Sequence, residues 1–301
     1  MDVNRRVWRL GAAVLGALAL AGCGGGGGHA GLQVVAAENF WGSIAAQLAG
    51  SKATVRSIIV NPDTDPHSYD ATAADARSFA AARLAIVNGI GYDDWAPKLL
   101  AASPLSGRIT LNVGGLLGRH AGDNPHQWYS PSNVMRVVAA ISSDLARLDP
   151  GDAAYFRARE RAFATTALAR YHALIAEIRA RYHGVAVGYS ESIFQPLGAA
   201  LGLRLLTPYS FAKAIAEGTD VTAADKQTVD RQAQQRLIKV WVFNSQNVTP
   251  DVQRVNQLAR AAGIPIATVT ETLSPARDSF QQWQVGELEG LARALARGTG
   301  R

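Results

Sequence analysis

Short apolar runs alternate with amphipathic segments along the first half of the chain, beginning at Leu32. The short runs predict strands, and the segments with apolar residues every three or four positions predict helices. The predicted strands are residues 32–37, 55–60, 84–88 and 109–113, and the predicted helices are residues 39–48, 72–82, 94–102 and 131–148. Asn39 is expected to cap the first helix. Strands that alternate with helices at this spacing predict βαβ units and a parallel sheet.

A long helical segment is predicted next, from Pro150 to about Tyr182. Its apolar residues approximate one stripe, while arginines and glutamates occupy the other face. Gly184 supplies a C-terminal stop. Roughly thirty residues at 1.5 Å each make a rod of about 45 Å, which is long enough to cross both halves of a protein of this size.

The alternating pattern then restarts. The predicted strands are residues 185–189, 203–206, 238–243 and 264–269, and the predicted helices are residues 193–201, 222–235, 250–262 and 280–295. The sequence therefore predicts an α/β protein with two Rossmann-like lobes, each built on a mainly parallel four-stranded sheet and joined by one long rigid helix. The expected divisions are an N-terminal lobe at 32–148, a linker helix at 149–183 and a C-terminal lobe at 184–301.

The first residues have the features of an export signal. Arg5, Arg6 and Arg9 precede an apolar run from Leu10 to Leu20 that is too short to span a bilayer. Leu-Ala-Gly-Cys, ending at Cys23, resembles a bacterial lipobox. We expect residues 1–22 to be a lipoprotein signal peptide and Cys23 to be lipidated.

The five glycines that follow Cys23 suit a flexible tether, which we place at residues 23–31. The expected location is the extracytoplasmic face of the cell membrane.

The charge of the chain argues against a nucleic-acid partner. Residues 1–22 contain three arginines and one aspartate, so 27 basic and 23 acidic side chains remain in residues 23–301, a net charge of +4. This small excess contains no run of Lys or Arg, whereas nucleic-acid-binding proteins carry clustered basic residues. No apolar stretch after the signal is long enough to span a bilayer. We expect a monomeric protein that is attached to the membrane by its lipid only.

Two histidines each follow a proline in similar surroundings, in Asp65-Pro66-His67 and in Asn124-Pro125-His126. Proline has a fixed φ and restricts the residue before it, so the backbone that aims each imidazole is stiff. Rigidly aimed imidazoles suit zinc, copper, iron or nickel. The pair therefore predicts a metal site, in which Asp65 and Asn124 are candidates to orient the two rings.

Polar residues also follow the predicted strands of the second lobe, where ligands of open α/β sheets gather. Glu191 follows the first of these strands and Glu271 follows the last. Two histidines from one lobe and two glutamates from the other make a four-ligand cleft site, in which imidazole favours zinc and carboxylate oxygens favour manganese. Alternatively, Glu191 caps the next helix and Glu271 is a surface residue.

The chain resembles the zinc/manganese solute-binding lipoproteins of bacterial ABC transporters (the cluster A-I family) over essentially its whole length. The segment from Asp65 to Asp70 is similar to the first ligand motif of that family, and the segment from Asn124 to Trp128 is similar to the second. The segment from Asn88 to Trp95 and the long mid-chain helix are also similar.

The resemblance implies the remaining ligands. The third ligand of the family precedes a glycine–aliphatic pair by about twelve residues, and counting back from Leu203 reaches Glu191. The fourth ligand is usually an aspartate, and this chain has Glu271 there, with one more methylene of reach. The implied site holds one divalent ion, Zn²⁺ or Mn²⁺, through His67, His126, Glu191 and Glu271. The loop at 114–123 is short and contains a single histidine, His120, unlike the His-rich loop of many zinc-type relatives.

The resemblance also implies a role: the protein captures a divalent metal outside the cytoplasmic membrane and delivers it to an ABC permease, without being an enzyme. Two alternatives remain at this point. One is a metal-dependent hydrolase, because a carboxylate beside a bound ion can act as a general base. The other is an iron-chelate binding protein of the same two-lobed architecture.

Overall fold

The computed structural model describes residues 31–62, 64 and 69–301. The expected signal peptide, the expected lipidation site at Cys23 and the candidate ligand His67 lie outside these residues. Among the helices of the described residues, none is long and apolar enough to cross a membrane.

Four parallel strands form the sheet of the first half, in the spatial order β2-β1-β3-β4. The strands are β1 (Leu32–Glu38), β2 (Ala53–Ile59), β3 (Leu84–Val87) and β4 (Ile109–Asn112). The helices around them are α1 (Asn39–Ala49), α2 (Ala73–Ala81), α3 (Trp95–Ala102), α4 (Val113–Leu117) and α5 (Pro131–Leu148). Every residue of β3 is buried, because helices cover both faces of a parallel sheet.

The second half repeats this topology with the strand order β6-β5-β7-β8, again with every pair parallel. The strands are β5 (Ala186–Tyr189), β6 (Arg204–Leu205), β7 (Val240–Asn244) and β8 (Ile266–Val269). The helices are α8 (Gln195–Ala200), α9 (Tyr209–Ala216), α10 (Ala223–Gln234), α11 (Pro250–Ala261) and α12 (Phe280–Thr299). The predicted fold class, two α/β lobes with parallel four-stranded sheets, is confirmed.

The segment between the two sheets is helical but is not one uninterrupted α-helix. A 3-10 turn at Pro150–Asp152 leads into α6 (Ala153–Ala162), a π turn at Phe163–Ala167 and α7 (Ala169–Tyr182). The π turn includes a hydrogen bond of 2.9 Å from the N–H of Leu168 to the carbonyl of Phe163, five residues earlier. This wider turn changes the helical phase, so that Phe163 and Leu168 are both buried in one core.

Three helices begin at their predicted first residue or one residue after it, but their capping residues differ from one another. Thr72 and Thr222 cap α2 and α10, and each accepts a hydrogen bond from a backbone N–H of the first turn. Asn39 does not cap α1, because it is already inside the helix and its side chain accepts from the N–H of Leu273. Two short helices, α4 and α9, are absent from the sequence prediction.

The last helix, α12, packs on β7 and β8 of its own half and also touches α1 and α7. A close approach makes this possible: a Cβ at Gly298 would collide with the backbone carbonyl of Lys239. Gly286, in the same helix, has no neighbouring atom within 4 Å of the corresponding position. Close packing therefore requires a glycine at position 298, whereas position 286 has room for a larger side chain.

We expect Gly298→Ala to lower the free energy of unfolding by about 1–3 kcal/mol, because backbone must move to make room. Gly286→Ala should raise it by about 0.5–1 kcal/mol, because alanine favours a helix and nothing obstructs its methyl group. Urea denaturation of both variants measures the difference. Equal effects of the two substitutions would contradict the packing argument.

Candidate metal centre

Three of the four predicted ligands, from distant parts of the chain, lie together between the two sheets. His126, Glu191 and Glu271 each offer one ligand atom, and these atoms all lie within 4.8 Å of one another. All three residues are buried, with exposed fractions of 0%, 1% and 7%. The site is thus built where the carboxyl ends of both sheets face the gap between them.

His126 sits in the loop between α4 and α5, and its neighbours hold the ring in place. Its Nδ1 lies 2.8 Å from Oδ1 of Asn124, which also accepts the backbone N–H of His126 at 3.0 Å. The ring lies edge-on to Trp128 and Tyr92. Because Oδ1 of Asn124 accepts a hydrogen bond from Nδ1–H, the neutral ring presents the Nε2 lone pair to the cleft. Asn124 therefore orients this imidazole, as its place in the motif predicts.

The Nε2 atom faces both carboxylates. It lies 3.8 Å from Oε1 of Glu191 and 3.5 Å from Oε1 of Glu271. Burial lowers the pKa of His126 to about 4, although the nearby Glu191 acts in the opposite direction. The imidazole is consequently neutral at pH 7, and its contacts with the glutamates are not ion pairs. A neutral imidazole is the form that binds a metal.

Glu191 follows β5 and precedes a 3-10 turn at Ser192–Phe194. The alternative that it caps this turn is wrong, since its side chain makes no capping hydrogen bond. Its Oε2 instead accepts a hydrogen bond of 2.9 Å from the side-chain amide of Asn244. Burial, followed by the charge of Glu271, raises the pKa of Glu191 well above its ordinary value.

Glu271 follows β8 and is not a surface residue. Its Oε1 accepts a hydrogen bond of 2.9 Å from Asn244, and its Oε2 accepts one of 2.9 Å from the hydroxyl of Tyr92. Gln246 accepts the backbone N–H of Glu271 at 2.6 Å. Donors from both lobes thus hold this carboxylate.

Sequence reasoning did not identify Tyr92 and Asn244 as partners of the two glutamates. Tyr92 lies in the turn after β3, which Asp93 ties down by accepting the N–H groups of Asn88 and Gly89 at 2.7 Å each. Asn244 ends β7. The rule that ligands gather beyond the carboxyl ends of strands covers both positions, but it does not say which neighbour each side chain contacts.

A hydrogen-bond cluster beside the site joins the two halves of the chain. The hydroxyl of Tyr129 donates to Oε2 of Glu287 at 2.6 Å and to the carbonyl of Thr270 at 2.9 Å. Oε1 of Glu287 accepts from Trp283 and from the N–H and hydroxyl of Thr270, at 2.9–3.0 Å. Tyr129 lies three residues after His126, and Thr270 directly precedes Glu271. We call this set, Tyr129, Thr270, Trp283 and Glu287, the interlobe cluster.

A further buried carboxyl, that of Glu38, is not one of the three candidate ligands. Glu38 ends β1 and is completely buried, and burial together with the charge of Asp93 raises its pKa well above the ordinary value. Neither carboxylate oxygen of Glu38 has a hydrogen-bond partner within the described part of the chain.

Solved structures of periplasmic metal-binding proteins have the same fold. The manganese-bound periplasmic metal-binding protein from Candidatus Liberibacter asiaticus aligns with a TM-score of 0.72 at 20% identity, over 87% of this chain and 98% of that one. A mutant of the laminin-binding adhesin Lmb from Streptococcus agalactiae aligns with a TM-score of 0.71 at 17% identity, over 88% and 100% of the two chains. The chain therefore shares its fold with both of these proteins.

The chain belongs to the family described as zinc-uptake complex component A, periplasmic (ZnuA), whose model matches residues 34–294. Among curated relatives, the manganese-binding lipoprotein MntA of Halalkalibacterium halodurans is 28% identical over 136 residues, which are 44% of this chain and 45% of that protein. The iron-binding protein YfeA of Yersinia pestis is 31% identical over 127 residues, 40% of each chain. These alignments thus span less than half of either relative's length. The predicted family is confirmed.

Tyr129→Phe should lower the free energy of unfolding by about 1–3 kcal/mol, because it removes a donor from Glu287 and leaves that buried acceptor unpaired. Tyr171→Phe is the matched control, since the buried hydroxyl of Tyr171 has no hydrogen-bond partner within the described residues. That control should change stability by no more than about 0.5 kcal/mol. Chemical denaturation measures both, and equal losses would argue against the interlobe cluster as a stabilising contact.

Proposed function

We propose that this protein is an extracytoplasmic substrate-binding protein that captures a divalent metal ion between its lobes and delivers it to an ABC permease. The observation that supports this most directly is the convergence of one neutral imidazole and two carboxylates, all buried, from three separate loops. Burying two carboxylates together is costly unless a cation compensates them. A divalent ion at this point neutralises both.

The distances support an ion of ordinary size. A tetrahedral ion with ligands at about 2.0–2.2 Å separates neighbouring ligand atoms by about 3.3–3.6 Å. The observed separations from Nε2 of His126, 3.5 Å and 3.8 Å, are close to this range. The two distances from the imidazole to the carboxylates therefore need only a small contraction around an ion. We propose His67 as the fourth ligand, because its Pro-His motif matches that of His126.

Both Zn²⁺ and Mn²⁺ remain the proposed cargo. The family is described by zinc uptake, whereas one relative is named for manganese and another for iron. Two carboxylates favour manganese more than a histidine-rich site would, but zinc has the higher general affinity for such ligands. One ion binds per chain in this proposal.

Binding rather than catalysis fits the burial of the site. No donor among the three exceeds 7% exposure, so an ion can be enclosed but a larger substrate could not reach it without a rearrangement. We propose that the chain is not an enzyme. We further propose that residues 1–22 direct export and that a lipid on Cys23 holds the monomer at the membrane, as the name of the lipoprotein relative also suggests.

The first test is metal content after competition. Residues 24–301, stripped of metal and dialysed against equal micromolar Zn²⁺ and Mn²⁺, should retain one ion per chain by mass spectrometry. Glu191→Ala and His126→Ala should each lower zinc affinity by more than about tenfold, because each removes a ligand. His172→Ala, on the half-exposed face of α7, is the control and should bind as the wild type does. No bound metal in the wild type would contradict the proposed function.

Metal binding should weaken as pH falls from 8 to 6. Burial and the charge of Glu271 raise the pKa of Glu191 well above its ordinary value, so a proton competes with the ion for this carboxylate as the pH falls. His126, with a pKa of about 4, has no proton to lose in that range. Affinity should therefore fall by up to about tenfold per pH unit for one released proton. Calorimetry in buffers of different ionisation enthalpy counts the protons, and affinity independent of pH would contradict this account.

A further inference from the structure

Asn244 lies between the two glutamates of the site and contacts both of them. It is completely buried at the end of β7. Its side-chain nitrogen donates one hydrogen bond of 2.9 Å to Oε2 of Glu191 and another of 2.9 Å to Oε1 of Glu271. A primary amide has two N–H donors, so both are used on the two acidic side chains.

The rest of the Asn244 side chain is also fixed. Its Oδ1 accepts the backbone N–H of Gln246 at 3.0 Å, and its own backbone N–H donates to Oγ of Ser190 at 3.1 Å. These bonds settle which end of the amide faces the carboxylates, because the oxygen is turned toward an N–H. The amide therefore cannot rotate to present an acceptor to the glutamates without losing three hydrogen bonds.

This arrangement limits how each carboxylate can bind an ion. Glu191 keeps Oε1 without a hydrogen bond within the described chain, while Asn244 occupies Oε2. Glu271 has a donor on each oxygen, Asn244 on Oε1 and Tyr92 on Oε2. A carboxylate whose second oxygen is held by a donor binds a metal through one oxygen more readily than through two.

We infer that Asn244 is a positioning residue that sets the metal selectivity of the site, an inference that rests on the proposed function. By holding Oε2 of Glu191, Asn244 leaves only Oε1 of that carboxylate for the ion, as Tyr92 leaves only Oε1 of Glu271. Each monodentate carboxylate adds only one donor atom to Nε2 of His126, and a small number of donor atoms suits Zn²⁺. Mn²⁺ prefers about six ligands, mostly oxygens, and gains from bidentate carboxylates. Asn244 thus favours zinc over manganese relative to the same site without its amide.

Asn244→Ala tests this inference, with Asn247→Ala as the matched control. Asn247 lies three residues further along the same loop, and its amide donates to the carbonyl of Ile215, not to either glutamate. Zinc and manganese affinities are measured by competition with a chelating dye. In Asn244→Ala, zinc affinity should fall about 10–100-fold. Manganese affinity should fall less, because the freed Oε2 of Glu191 gives this ion one more ligand atom. Asn247→Ala should keep the wild-type ratio of the two affinities.

Cobalt supplies a readout that a purely structural role would not change. Four-coordinate Co²⁺ absorbs visible light intensely, whereas five- and six-coordinate Co²⁺ absorbs weakly. The wild type and Asn247→Ala should give the intense spectrum, and Asn244→Ala should give the weak one. Asn244→Ser, which can donate only one hydrogen bond, decides the matter if the alanine variant does not fold by circular dichroism.

The outcomes separate the two levels of the proposal. An unchanged cobalt spectrum and an unchanged affinity ratio in the Asn244 variants, with metal still bound, overturn the role of Asn244 and leave the proposed function intact. Equal losses for zinc and manganese also overturn it, because positioning without selectivity is then the result. A wild type that binds none of the three ions overturns the proposed function, and the inference falls with it.

Discussion

The geometry of the site depends on the hydrogen bonds that Glu287 accepts at the boundary between the two halves. Its carboxylate accepts hydrogen bonds from Tyr129 of the first half and from Thr270 and Trp283 of the second. Tyr129 lies three residues after His126 and Thr270 directly precedes Glu271, so this cluster helps to fix the distance between those two site residues. Glu287 itself lies in α12, which packs on the second sheet and also touches α1 of the first half. Metal capture by this protein would therefore begin from lobes that are already in register, unlike hinged proteins that close over their ligand.

Most of the fold follows from the period of the apolar residues. Strands such as β3 and β7 are recognisable because helices cover both faces of each sheet, which makes their residues continuously apolar. The capping threonines of α2 and α10 mark helix starts correctly. The errors have identifiable causes. Two glycines weaken the helical pattern of the five-residue α4. The π turn at Phe163–Ala167 is invisible to a search for a constant period of 3.6 residues.

The sequence predicted which residues form the site, but it did not predict the hydrogen bonds that hold them. Two Pro-His motifs and two glutamates after strands suffice to suggest the ligand set, and the structure brings His126, Glu191 and Glu271 together. The groups that hold those glutamates were not predictable in the same way. An asparagine that ends a strand is as common in a loop-stabilising role as in a binding site. The bond from Tyr92 to Glu271 joins residues 179 positions apart, a separation about which local sequence carries no information.

The two sheets have equivalent strand orders, so Glu38 in the first sheet can be matched to a residue of the second. In the first sheet Ala36 pairs with Ile86, and in the second Tyr189 pairs with Val242. Two positions further along each pair stand Glu38 with Asn88 and Glu191 with Asn244. The chain therefore contains the same glutamate–asparagine combination twice, at equivalent points of an internal repeat.

The two glutamate–asparagine pairs differ in their contacts. Asn244 binds its glutamate, whereas Asn88 turns to the carbonyl of Pro125 and to the indole of Trp41. Asn244 contacts two of the three candidate metal ligands, whereas Asn88 supports the backbone beside His126. Glu38 therefore serves as an internal comparison for Glu191. At the equivalent position of the first sheet, the asparagine binds other groups, and the buried carboxylate has no hydrogen-bond partner within the described residues.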